Sequence, residues 1–93
     1  MVKMKTQNNQ NQSKTRKSEI KIYTTTTCPW CMKAKEFFMQ NNIKYKEMNV
    51  GLDEKARNEM FEKSGQFGVP VIDVNGEIIV GFNTHELKKA LHI

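Results

Sequence analysis

Cys28 and Cys31 are the only cysteines in the chain, and just Pro29 and Trp30 separate them. A pair at that spacing can hold a metal, staple a loop or exchange electrons. Zinc wants about four ligands. This pair supplies two, and the only histidines, His85 and His92, lack finger spacing. We therefore expect no metal. A disulfide across so few residues closes too small a loop to stabilise much. Electron exchange needs a reactive thiolate with a second thiol in reach, and the elements around the pair decide whether it has them.

The stretch EIKIYT, Glu19–Thr24, alternates Ile20 and Ile22 with Lys21 and Tyr23, the period of a strand. After Cys28, Pro29 suits a first helical turn, where its missing N–H costs nothing. Cys31, Ala34 and Phe38 then recur at three- and four-residue steps, an amphipathic helix ending near Asn41–Asn42. Cys28 thus falls where a strand ends and a helix begins. Orphan backbone N–H groups and the positive end of the helix dipole converge there and favour a thiolate. Cys31, one turn on and facing inward, is the more protected thiol.

The remaining elements complete a fold. Ile43–Val50 reads as a second strand, an edge strand guarded by lysines. Asp53 caps a helix running to about Lys63, with Leu52, Ala56 and Met60 four apart. Val69–Val74 and the stretch EIIV form a hairpin around Asn75-Gly76. Asn83 or Thr84 caps a last helix bearing Leu87, Ala90 and Leu91. The order β-α-β-α-β-β-α predicts an α/β domain with a four-stranded mixed sheet and flanking helices. The first two strands should be parallel, joined by a right-handed crossover.

Composition narrows the function classes. Residues 1–18 contain Lys3, Lys5, Lys14, Arg16 and Lys17 and no acid. With so few apolar residues, this stretch reads as a disordered basic leader. Of the 15 basic residues in the chain those are 5, and the other 10 match the 10 acidic residues, all at or beyond Glu19. The domain, residues 19–93, is formally neutral, which speaks against a nucleic-acid-binding face. No stretch suits a signal peptide or a membrane span. We expect a monomer in the reducing cytoplasm.

Four stretches, IYTTTTCPWC (Ile22–Cys31), GVPVI (Gly68–Ile72), Asn75-Gly76 and VGF (Val80–Phe82), resemble the glutaredoxin family, whose fold is thioredoxin-like. The likeness runs from Glu19 to Leu91. It implies a dithiol–disulfide oxidoreductase with Cys28 as nucleophile and Cys31 as resolving cysteine. It also implies a cis bond before Pro70, with the Val69 backbone pairing to substrate like a short added strand. Disulfide-containing proteins would be partners, and glutathione a reductant or substrate, with no cofactor bound. Two positions depart from the family's pattern. Thr25 stands where a lysine usually binds the glutathione carboxylate. VGFNTHE replaces the usual Gly-Gly followed by a Cys-Asp type pair, and is closer to the Ser-Gly-Phe segment of NrdH-type redoxins. That likeness implies recycling by thioredoxin reductase and service to ribonucleotide reductase. If glutathione binds, Val69 and the helix start at Gly81, Asn83 and Thr84 are its expected contacts. Trp30 is expected to project outward and meet a docking partner, while Phe82 either shapes the groove or simply packs. An iron–sulfur binding module is the rival from another class, and Pro29 argues against it by stiffening the turn.

Overall fold

The computed structural model describes residues 19–93; the expected basic leader, residues 1–18, lies outside the described residues. Seven elements follow in order: β1 (Ile20–Thr24), α1 (Pro29–Gln40), β2 (Lys46–Asn49), α2 (Glu54–Ser64), β3 (Val71–Val74), β4 (Glu77–Val80) and α3 (Thr84–Leu91). The sheet order is β2-β1-β3-β4. β1 pairs parallel to β2 and antiparallel to β3, with Ile22 opposite Glu47 on one side and Ile72 on the other. β3 and β4 are antiparallel. The strand that delivers the cysteine pair is therefore central, held by a neighbour on each side.

Strand alternation puts apolar residues on both faces of this sheet. Ile20, Ile22, Ile72, Val74 and Ile79 pack with Ala34 and Phe38 of α1 and Leu87 of α3. On the opposite face Tyr23 and Val71 pack with Val50 and with Ala56 and Met60 of α2. Each large side chain buried this way contributes about 1.5–3 kcal/mol. Asn75 and Gly76 both take positive φ, 53° and 98°, as a tight two-residue hairpin turn requires.

Three local outcomes differ from the sequence expectation. β2 is shorter than Ile43–Val50, because Ile43 and Tyr45 turn toward the core and pack on the α1 side. β3 starts at Val71, since Val69 lies in a bend and Pro70 precedes the ladder. Leu52 is 81 % exposed. It lies before the Asp53 cap, outside the helix whose stripe it was expected to join.

Candidate active site

β1 ends at the fully buried Thr24, and the loop from Thr25 to Thr27 leads to Cys28, the N-cap of α1. Its sulfur takes the role a Ser or Asp oxygen usually has at that position, accepting the Cys31 backbone N–H at 3.1 Å. The Cys28 thiol also lies 3.9 Å from the Val69 carbonyl, toward which it donates. Both cysteines are free thiols.

Their surroundings differ. Cys28 keeps 9 % of its surface exposed and Cys31 keeps 1 %. Burial pushes the Cys31 thiol up to about 12, and its hydrogen bond to the Cys28 sulfur and the charge there add to the rise. A backbone hydrogen bond from Thr25 and the charge of Lys35 pull the other way. Cys31 therefore holds its proton at neutral pH, which leaves Cys28 as the thiol able to attack first.

Facing the pair is the Val69–Pro70 segment, whose peptide bond is cis, as the resemblance implied. Pro70 is buried, and its carbonyl accepts the Gly81 N–H at 2.7 Å. That bond closes a groove of about 250 Å³ lined by Trp30, Val69, Pro70, Gly81 and Phe82. Gly81 has φ 88°, a conformation glycine adopts without a Cβ penalty. Trp30 is 58 % exposed. Its ring lies 6.5 Å from that of Phe82, which meets Phe37 edge-on at 6.0 Å. Lys33 lies over the Trp30 ring at 5.9 Å.

Five of the residues singled out in the sequence thus meet around one groove beside Cys28. Three do not line it. Pro29 is exposed at the first position of α1. Asn83 caps α3, and its side-chain oxygen accepts the Glu86 N–H at 3.1 Å. Thr84 is exposed at the start of that helix. Thr25 lines a separate cavity of about 600 Å³ with Arg57 and Phe67.

Two polar groupings escaped the sequence reading. Lys35 reaches Glu47 at 2.9 Å, and the Thr24 hydroxyl donates to the same carboxylate oxygen at 2.8 Å. The available signal was that Lys35 stands four residues after Cys31. Under α2, the Tyr23 hydroxyl bonds Glu59, while Lys63 donates to Tyr23 at 2.9 Å and to Asp73 at 2.6 Å. The Tyr23 hydroxyl first, with Lys63 and Lys21 behind it, outweighs burial and holds Glu59 down at about 2. Burial would lower Lys63, but the hydrogen bonds to Asp73 and Tyr23 outweigh it and raise it above the usual lysine value.

The glutaredoxin family model matches residues 20–79, from the first strand to the hairpin. The chain belongs to the glutaredoxin family. A glutaredoxin-like protein of 8.6 kDa from the rubredoxin operon of Clostridium pasteurianum is 53% identical over 72 residues, covering 77% of this chain and 96% of that one. Glutaredoxin 3 of Escherichia coli is 31% identical over 64 residues, covering 69% of this chain and 77% of its own. Among solved structures, the NrdH-redoxin of Escherichia coli superposes with a TM-score of 0.68 at 22% identity, covering 76% of this chain and 92% of that one. At that identity the likeness speaks to the thioredoxin-like fold alone. Glutaredoxin membership makes the chain a redox protein of the thiol–disulfide class in general. Among the described residues, no helix is long and apolar enough to cross a membrane.

Proposed function

We propose that the chain is a dithiol–disulfide oxidoreductase that reduces protein disulfides or glutathione mixed disulfides in the cytoplasm. The observation that carries this reading is the asymmetry of the pair. Cys28 borders an open groove at a helix start, while Cys31 sits one turn behind it, buried and protonated. Cys28 thiolate attacks a substrate disulfide, forms a bond to one sulfur and releases the other as a thiolate. Cys31 then gives up its proton and attacks the Cys28 sulfur. The mixed disulfide breaks, the substrate thiolate leaves and is protonated by solvent, and a Cys28–Cys31 bond remains. The Val69 backbone beside Cys28 suits strand-like pairing with a peptide, and the groove suits its neighbouring side chain.

A second reading concerns the electron donor. The groove lining carries no charged side chain, Thr25 stands at the usual lysine position, and the Asn83 side chain is engaged in its cap. These features offer little to the two carboxylates of glutathione. They favour an NrdH-like redoxin recycled by thioredoxin reductase and serving ribonucleotide reductase. The deciding experiment reduces a protein disulfide with either glutathione plus its reductase or thioredoxin reductase. Turnover by both, abolished by Cys28→Ser, supports the first reading. Turnover by thioredoxin reductase alone supports the second, and turnover by neither defeats both.

A further inference from the structure

The redox cycle proposed above asks Cys31, a buried thiol, to lose a proton once Cys28 is tied up with substrate. Part of the resistance disappears at that moment. The hydrogen bond to the Cys28 sulfur and the charge on it both end when Cys28 enters a mixed disulfide. Burial remains, and two groups oppose it: the Thr25 backbone N–H and the Lys35 ammonium.

Lys35 is well placed for this. Residues four apart on a helix share a face, so Lys35 and Cys31 are neighbours along α1. The Lys35 side chain is 27% exposed, and its ammonium is paired. Glu47 of β2 holds it at 2.9 Å, and the fully buried Thr24 hydroxyl fixes Glu47 at 2.8 Å. Lys35 is the charged side chain that shares the α1 face of Cys31, and its charge lowers the Cys31 thiol. The hydrogen bond to Glu47 raises Lys35, and the one from Lys35 lowers Glu47, so both stay charged across the neutral range. Facing Cys31 itself are the Cys28 sulfur and Lys35; from the neighbouring β2 segment, Glu47 and Tyr45 face Lys35. The adjoining residues of β1 and its loop, Thr24 and Thr25, do not titrate.

We infer that Lys35, anchored by Glu47 and Thr24, is a positioning residue for the resolving step: it holds a positive charge beside the Cys31 sulfur while that sulfur becomes a thiolate. The first attack, by Cys28, is not the step it serves. In the resolving step the Cys31 proton passes to solvent, the Cys31 thiolate forms a bond to the Cys28 sulfur, and the substrate sulfur leaves with the electron pair and takes a proton from solvent.

Dithiodipyridine, an uncharged disulfide, separates the two steps. One equivalent added to the reduced protein releases a first pyridinethione on capture by Cys28 and a second when Cys31 resolves the mixed disulfide. For Lys35→Met we expect the pH profile of the second release to move up by about half a unit to one unit, about three- to tenfold slower at neutral pH. The first release should move less than the second. Lys35→Arg, which keeps the charge, should restore the second release, and added salt should narrow the gap between Met and Lys. A second-release profile that is the same in Lys, Arg and Met proteins overturns the inference, as does a slowing shared equally by both releases. Absence of the first release from the unsubstituted protein would instead defeat the redox reading itself. Thermal melts of each variant show whether it is folded before its kinetics are compared.

Discussion

Cys28→Ser isolates the buried thiol and makes its reactivity measurable. Serine is a good N-cap residue, so its hydroxyl can still accept the Cys31 N–H and α1 keeps its start. The remaining thiol is 1 % exposed, and in the unsubstituted protein it is pushed up to about 12 from an ordinary 9.0. Each unit is a factor of ten in the thiolate fraction below the pKa. Three units therefore correspond to about a thousandfold less thiolate at neutral pH. The substitution removes the hydrogen bond and charge of the Cys28 sulfur but leaves burial, the largest cause. Alkylation of Cys31 by iodoacetamide, followed by intact mass, should run about a hundred- to a thousandfold slower than that of a small free thiol at neutral pH. Between pH 7 and pH 9 it should climb nearly tenfold per unit without levelling, because the thiol is still mostly protonated there. A rate within about tenfold of the free thiol, or a plateau below pH 9, would refute the assignment of burial as the cause.

Other consequences concern the scaffold and the groove. Glu59 is depressed to about 2 from 4.5, so its stabilisation is present above the unfolded value and is lost as pH falls from about 4.5 toward 2. With the side chain 34% exposed, solvent screening reduces the contribution to about 1 kcal/mol; urea midpoints of Tyr23→Phe, which lacks the leading cause, should fall less steeply with acid than those of the parent. Gly81→Ala meets nothing within 4 Å but must adopt φ 88°, so strain of about 1–2 kcal/mol should lower the melting temperature. Trp30→Ala removes an exposed ring from the groove wall and should raise KM for protein disulfides several-fold, while leaving alkylation of Cys28 by iodoacetamide nearly unchanged.

Most of what positions the site could be read from the chain because each part carries a local signal. The alternation of Ile20 and Ile22, Pro29 at a helix start, the Asn75-Gly76 turn and the capping Asn83 each act over a few residues. What escaped depends on distant segments meeting. The sheet order, with β1 between β2 and β3, decides that Tyr23 lies beside Val71 and under α2. Only then do Glu59 and Lys63 converge on its hydroxyl, with Asp73 holding Lys63. The link from Lys35 to Thr24 likewise needs the parallel register that sets Glu47 opposite Ile22. Strand ends were blurred for a related reason. Val69 and Tyr45 look like strand residues by type, but Pro70 cannot donate to a ladder, and Tyr45 packs on Phe38 at 5.2 Å.

The division of labour between the two sulfurs is tested most directly by trapping. Reduced Cys31→Ser and Cys28→Ser proteins are each mixed with an excess of a short peptide disulfide and analysed by intact mass. Cys31→Ser should accumulate a mixed disulfide on Cys28 that dithiothreitol removes, Cys28→Ser should accumulate none, and the unsubstituted protein should end as the internal disulfide, lighter by a pair of hydrogens. Equal trapping by both variants, or adducts on Cys31 alone, would contradict an attacking Cys28 and a resolving Cys31.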